Sequence, residues 1–483
     1  MDDGDFSTKS DAFLTWLQQI GTTISSKIQL ADLRSRHAGR GVLATADIAE
    51  DEELFTVPRS SILTAEASSL PAEIKEQFDD QWLSLMAAMI YEYQRGSDST
   101  WKAYFDVLPA SFNTLMFWSE EELECLESSA VVKKIGKSSA NESFKAKILP
   151  ILQQHTDIFK TTGMSDDQLL ALCHRMGSTI MAYAFDLEKP GSGSTAPRNE
   201  EDGWEEDEEE TELLPKGMVP LADMLNADAD RNNAKLFYED DKVVMKSITV
   251  IKAGDEVFND YGPLPTADVL RRYGYTTHNY AKCDVVEISL DLIKQMAAEG
   301  VKLKGPDLGE RTSYLDEHGI LEDGYDISHA SSDPESPQFP DELCILLNTL
   351  LLPKADFDKM KQNDKLQKPA LILESVRLLY TIIVRRRAEY TFNALDDGFN
   401  SLQLNAAPID ISSASHRQKQ ARLVVAGEKK VLQEAAAALQ KMLLGTGDGN
   451  KKRKAPTDTF EEEAKAVRAQ RSNGEHPSKK TKH

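Results

Sequence analysis

The residues in this chain best placed to do chemistry are mostly uncharged. Asn226 stands in the run MVPLADMLNADADRNNA (218–234), whose clustered Asn and Asp residues favour a tight turn. Tyr261–Gly262 follows in GDEVFNDYG (254–262), and Tyr273–Gly274 in LRRYGY (270–275). An asparagine turn followed by two tyrosine–glycine turns suggests a site made of backbone groups and two phenols. Far upstream, HAGRGV (37–42) supplies another glycine turn between strand-like stretches. Glycine suits such a turn because a backbone without Cβ lets a ligand come close.

Several common chemistries are excluded by what is missing. There is no GxxxxGK[ST] loop and no GxGxxG after a strand, so the nucleotide-binding loops are absent. HExxH and GxSxG are absent too. The nine histidines are scattered, and none pairs with Cys or carboxylate at a metal-ligand spacing. Cys125, Cys173, Cys283 and Cys344 lie far apart with no CxxC, which suggests reduced, buried thiols in an intracellular protein. What is left is a reaction that needs no metal, phosphate loop or nucleophile triad.

The elements that must position these residues alternate in type. At 483 residues the expected domain count is two or three. DAFLTWLQQI (11–20) begins an amphipathic helix, within an N-terminal segment of about 1–25. SKIQLADL (26–33) reads as a strand, and 42–63 as two strands joined by a polar turn at Glu50–Glu52. From about 66 to 188 the period becomes helical. Phe78, Trp82, Leu85, Met86, Met89, Ile90 and Tyr93 share one face, and 142–160 and 166–187 predict two more helices. AKLFYED and KVVMKSITV (234–250) predict a hairpin around Asp240–Asp241. CDVVEISLDLIKQ (283–295) turns toward helix, and 341–444 is helical. No run is apolar for 18 residues, and the acidic start MDDGDFSTKS has no secretory h-region.

Net charge is −24, unevenly spread. Residues 200–212 hold ten acids and no base, within a stretch (189–212) that reads as a disordered acidic loop. KKRK (451–454) and KKTK (479–482) sit in a polar tail, 445–483, expected to be disordered, and suggest nuclear import signals. An acidic body repels a phosphate backbone, so strong nucleic-acid binding is not expected and a basic protein partner is.

Three stretches together carry a resemblance: HAGRGVLATADIAEDEELFTVPR (37–59), MVPLADMLNADADRNNAKL (218–236) and GDEVFNDYGPLPTADVLRRYGY (254–275), with MAYAF (181–185) as a weaker fourth. In this order they resemble the SET-domain lysine methyltransferases, in the subgroup similar to the Rubisco large-subunit methyltransferase. The resemblance implies an α+β fold: a SET domain over 26–275 with a helical insert, then an all-α substrate-binding domain over about 283–444. It implies S-adenosylmethionine as cofactor, held by Gly39, Arg40, Gly41, Val42, Tyr183, Asn226, Ala227, Tyr261 and Tyr273. Tyr261 matches the catalytic tyrosine, while Ala184 and Asp186 would face substrate. A protein-lysine substrate is implied, a ribosomal protein in particular, while the basic clusters of the tail suggest a nuclear location that could extend to the cytoplasm. One position departs from the pattern, because Ala227 stands where most of the family has His. That departure leaves open a catalytically weak SET-fold binding protein, and the architecture that the resemblance implies leaves open a protein-histidine methyltransferase.

Overall fold

The computed structural model describes residues 3–36, 38–188, 214–301, 303, 305–330, 338–391, 414–445 and 456–474. The acidic run 200–212 and the basic clusters 451–454 and 479–482 lie outside the described residues.

Alternating side chains produce short antiparallel strands in the first 260 residues. They are β1 (Thr23–Ile24), β2 (Ile28–Asp32), β3 (Arg40–Ala44), β4 (Glu53–Pro58), β5 (Ala184–Asp186), β6 (Lys216–Met218), β7 (Ala234–Tyr238), β8 (Lys242–Ser247) and β9 (Glu256–Val257). They form three sheets, ordered β1-β4-β8-β7, β2-β3-β9 and β5-β6. The β7–β8 hairpin turns at Asp240–Asp241 as the sequence predicts, with Tyr238 opposite Val243. In the second sheet β3 is central: Val42 faces Leu30 on one side and Val257 on the other. This pairing joins chain segments more than 200 residues apart.

The helical stretch between β4 and β5 packs on the same core. Helix Gln81–Arg95 starts at Asp80, whose carboxylate accepts the Leu83 amide at 2.8 Å. Phe78 therefore precedes the helix, although its ring still packs on the core. Residues 142–160 are not one helix. They break into Lys137–Ser143, a π-turn over Phe144–Ile148, Leu149–Gln154 and Thr156–Phe159. Pro150 explains the break, since it has no amide to donate back and its ring crowds the preceding turn. Helix Asp166–Tyr183 is closed at its start by a reciprocal Ser165/Gln168 capping box.

The second half is not purely helical. VVEIS forms β10 (Val285–Ser289), which pairs in full with β11 (Gly324–Ser328). The expectation of an all-α domain missed this strand because its apolar residues run straight into helix Leu290–Val301. Helices Asp341–Leu351, Leu373–Arg387 and Ala414–Gly445 complete the bundle.

The tail expected to be disordered also contains a helix, Pro456–Gly474. Phe460, Ala464 and Val467 recur at helical spacing and pack on the second core. Glu461 pairs with Arg387 at 2.9 Å, and Glu463 accepts from Tyr380 at 2.8 Å. The charge of this stretch hides a stripe only three residues long.

Two main cores result, one from residues 13–257 and one from 286–464. A smaller third core joins them: Leu115, Trp118, Leu126, Val131, Ile135 and Leu270 meet Ala421 and Val424 of the long helix.

Candidate active site

The site begins at a strained turn. Leu221 is buried in left-handed backbone (φ 74°, ψ −37°), a costly conformation for a branched side chain. It reverses the chain before the short turn Ala222–Met224, so that Asp223 points inward and Asn226 leaves toward β3 and β9. The Asn226 amide donates to the Glu256 carboxylate at 2.7 Å and to the Arg40 carbonyl at 3.3 Å. Its own carbonyl accepts the Asn259 amide at 2.8 Å, and Ala227 bridges Asn259 in parallel. Three distant segments, 40–42, 226–227 and 256–261, are thus tied at one point.

Gly41 makes this approach possible. A Cβ there would lie 2.4 Å from Leu33 Cδ1, 2.8 Å from Asn226 Nδ2 and 2.9 Å from Glu256 Oε1. Any side chain would push the asparagine off the strand. Gly39 is left-handed (φ 65°) with open space around its Cβ position. The Arg40 side chain turns away: its guanidinium donates to Ser10 Oγ and the Val107 and Phe6 carbonyls, and lies 3.9 Å from the Phe6 ring centroid. Arg40 therefore offers the site its backbone rather than its charge. Val42 is buried in the strand core.

The phenols come together as the sequence suggests. Tyr261 and Tyr273 stack with centroids 4.1 Å apart and planes within 10°. Tyr275 leans on Tyr273 at 6.4 Å. Burial and the neighbouring Tyr273 hold the Tyr261 hydroxyl well above the ordinary phenol range, so it stays protonated and can donate. Tyr183 ends helix Asp166–Tyr183 with its ring 6.5 Å from Phe112. Burial, then Asp223, pushes its hydroxyl up to about 12. Ala184 pairs with Met218 across β5–β6, and Asp186 pairs with Lys216 at 2.8 Å.

Two buried carboxyls here escaped the sequence reading. Asp223 is pushed up to about 8 by burial, and Tyr104 hydrogen-bonds its Oδ2. Asp228 accepts the Asp230 and Arg231 amides at 3.0 Å, a two-point Arg231 fork at 2.6 and 3.0 Å, and the Asn279 amide at 2.8 Å. Burial alone would raise its carboxyl, but the Arg231 guanidinium and the amides outweigh that and hold it below the usual range. Asp228 lies in the NADAD run, where Asn226, Asp228 and Asp230 alternate with alanine and gave no sign of which one turns inward.

The arrangement suits a cationic amino-acid head group. The Glu256 carboxylate, the Arg40 carbonyl and the Asn226 carboxamide offer acceptors where Gly41 leaves no side chain, and the Arg40 charge is spent elsewhere. Beside them, the half-buried rings of Tyr261 and Tyr273 stack face to face.

Residues 39–262 match the family model for the SET domain. The chain is 35% identical to ribosomal lysine N-methyltransferase 4 of Saccharomyces cerevisiae over 305 residues, which is 61% of each chain. It is 29% identical to N-lysine methyltransferase setd6 of Xenopus laevis, covering 73% of this chain and 76% of that one. Among solved structures it superposes on the SET domain of Rubisco large-subunit methyltransferase bound to lysine and S-adenosylhomocysteine. That match has a TM-score of 0.65 at 19% identity, covering 91% and 92% of the two chains. A form of that enzyme bound to S-adenosylmethionine gives 0.64 over 98% and 97%.

Residues 39–262 thus match the SET domain, and the chain has the fold of the Rubisco large-subunit methyltransferase. These relatives are named lysine N-methyltransferases, and the solved structures it superposes on hold S-adenosylmethionine or S-adenosylhomocysteine.

Proposed function

We propose that this protein methylates a lysine of a basic, non-histone protein, most specifically a ribosomal protein, using S-adenosylmethionine. The observation that carries the proposal is the knot of Asn226, Arg40 and Glu256 around Gly41, next to the stacked pair Tyr261–Tyr273. In this reading the backbone of Gly39 to Val42, with Asn226 and Ala227, holds the amino-acid end of the cofactor. Tyr183 and Tyr273 line its other side. When bound, the cofactor supplies an electrophilic methyl on sulfur.

The chain's own groups do the rest. A lysine entering a wall of neutral phenols loses solvation of its charged form, which favours the free amine. The protonated Tyr261 hydroxyl would donate toward the reaction centre, and holding the amine in line for attack would supply rate through orientation. Ala184 and Asp186 sit on the β5 edge, where the substrate backbone would pass. The ribosomal assignment is supported by the yeast relative's name and by this chain's net charge of −24, which attracts a basic partner.

Transfer of labelled methyl into extract from cells lacking this protein tests the proposal. The expected result is one labelled ribosomal protein, with the methyl group on lysine by mass spectrometry. Label on histidine, or none in an extract that the intact protein reaches in cells, defeats it. We further propose nuclear import through KKRK (451–454) or KKTK (479–482). Alanine replacement of both clusters should leave the protein in the cytoplasm, and an unchanged distribution refutes this. Deleting the whole tail would be a poor test because it removes buried Phe460.

A further inference from the structure

The turn Tyr273–Gly274–Tyr275 is fixed from far away in the chain. Gly274 is left-handed (φ 77°), and a Cβ there would come within 2.8 Å of the Asn113 and Thr114 backbone. Its carbonyl accepts two side-chain amides, Asn113 Nδ2 at 3.1 Å and Gln420 Nε2 at 3.2 Å. Asn113 Nδ2 also donates to Gln420 Oε1 at 2.8 Å. Both amides are buried.

Their orientations are not free. Arg417 can only donate, and its Nε reaches Asn113 Oδ1 at 2.8 Å, so Nδ2 must face Gly274 and Gln420. Arg417 is anchored in turn by Glu122 at 2.6 Å. Trp118 Nε1 donates to the Asn113 carbonyl at 2.9 Å. The result is a directed chain from Glu122 through Arg417, Asn113 and Gln420 to one carbonyl beside Tyr273. Arg417 and Gln420 both lie on helix Ala414–Gly445 of the C-terminal region.

We propose that Gln420, with Asn113 and Arg417, is a positioning residue for the cofactor and lysine site, acting through the Gly274 carbonyl on the Tyr273–Tyr261 stack. The C-terminal region thereby completes the catalytic pocket itself, whatever it does for substrate docking. A turn free to rotate about Gly274 would carry the Tyr273 ring out of its 4.1 Å stack. The apolar contacts of Ala421 and Val424 hold the same helix in place independently of this network. Attachment and positioning are therefore separable. The inference rests on the reading of Tyr261 and Tyr273 as the methyl-transfer site.

The experiment compares Gln420→Leu with Val424→Ala in the full-length protein. Calorimetric affinity for S-adenosylhomocysteine and thermal midpoint are measured for both, and kcat and KM where a substrate is in hand. Gln420→Leu should weaken the cofactor product and lower kcat on the order of tenfold or more, with KM for the protein substrate little changed. Val424→Ala should lower the midpoint alone. Arg417→Met, which leaves Gln420 in place but releases the Asn113 orientation together with the Glu122 pair and the Phe117 carbonyl, should show a smaller loss in the same direction and serves if Gln420→Leu does not fold. Equal affinity losses in Gln420→Leu and Val424→Ala at matched midpoints overturn the proposal, as does a Gln420→Leu protein with unchanged affinity. Because affinity is read without turnover, a wild-type protein that binds cofactor but methylates nothing offered would count against the proposed function alone.

Discussion

Ala227 shows how one residue can leave a family pattern without opening the site. Its backbone bridges Asn259, and the next residue, Asp228, gathers five donors around one carboxylate. The loop is held by its neighbour, so position 227 needs no imidazole to keep its shape. Tyr261 is different, because its hydroxyl is the feature that no neighbour replaces. Tyr261→Phe keeps the ring and its stack on Tyr273 but removes the donor. The expected outcome is a drop in kcat of roughly 10²–10³, the usual effect of losing one donor at a reaction centre, with S-adenosylhomocysteine affinity nearly unchanged. A phenylalanine variant with full turnover would remove Tyr261 from the chemistry.

At the scale of elements, the motif-bearing turns were legible and the supporting pieces were not. The turns at Asn226, Tyr261 and Tyr273 stood out by residue type and spacing, and Gly41 through the family resemblance; the structure brings Gly41 against Asn226 and stacks the two tyrosines. The β7–β8 hairpin was legible for the same local reason. Asn113 and Gln420 gave no signal, because a buried amide is recognisable only by its partner, and these two are 307 residues apart. β10 was hidden by the apolar helix that follows it. Helix Pro456–Gly474 was hidden by its own charge, since Phe460 and Ala464 are few among acids and bases. That helix makes a plain prediction. Phe460→Ala should cost about 3–5 kcal/mol in urea unfolding, the range for emptying a buried aromatic site, and a change below about 0.5 kcal/mol, typical of an exposed position, would mean the helix is not seated.

The whole molecule is sealed by buried acids. Glu428 on the long helix accepts from Ser129 of the insert and from Tyr390, each at 2.6 Å. Burial pushes its carboxyl up to about 7 even though Arg386 opposes the rise, and burial lifts nearby Asp284 to about 6. Both folded values exceed the ordinary 4.5 and 3.8. The folded state therefore binds more protons than the unfolded chain, and these groups cost stability as pH climbs through that window. The thermal midpoint of the wild-type protein should fall from pH 5 to pH 8, and Glu428→Gln should flatten part of the fall, the rest being carried by Asp284 and by Asp223, which burial lifts to about 8. An identical slope in the variant would show that Glu428 does not carry it.

The bond from Gln420 to the Gly274 carbonyl spans 146 residues. Synthesis proceeds at about 5–20 residues per second, so roughly 7–30 s separate the emergence of Gly274 from that of its partner. Throughout that interval the nascent chain already carries every motif of the SET domain, from the glycine turn to both tyrosines, with only the Asn113 side chain to hold the Gly274 carbonyl. A chain released early would own the motifs and lack the pocket. Catalytic competence is thus tied to having been translated past Gln420, and a product truncated before it would bind cofactor and substrate poorly rather than methylate without its C-terminal region.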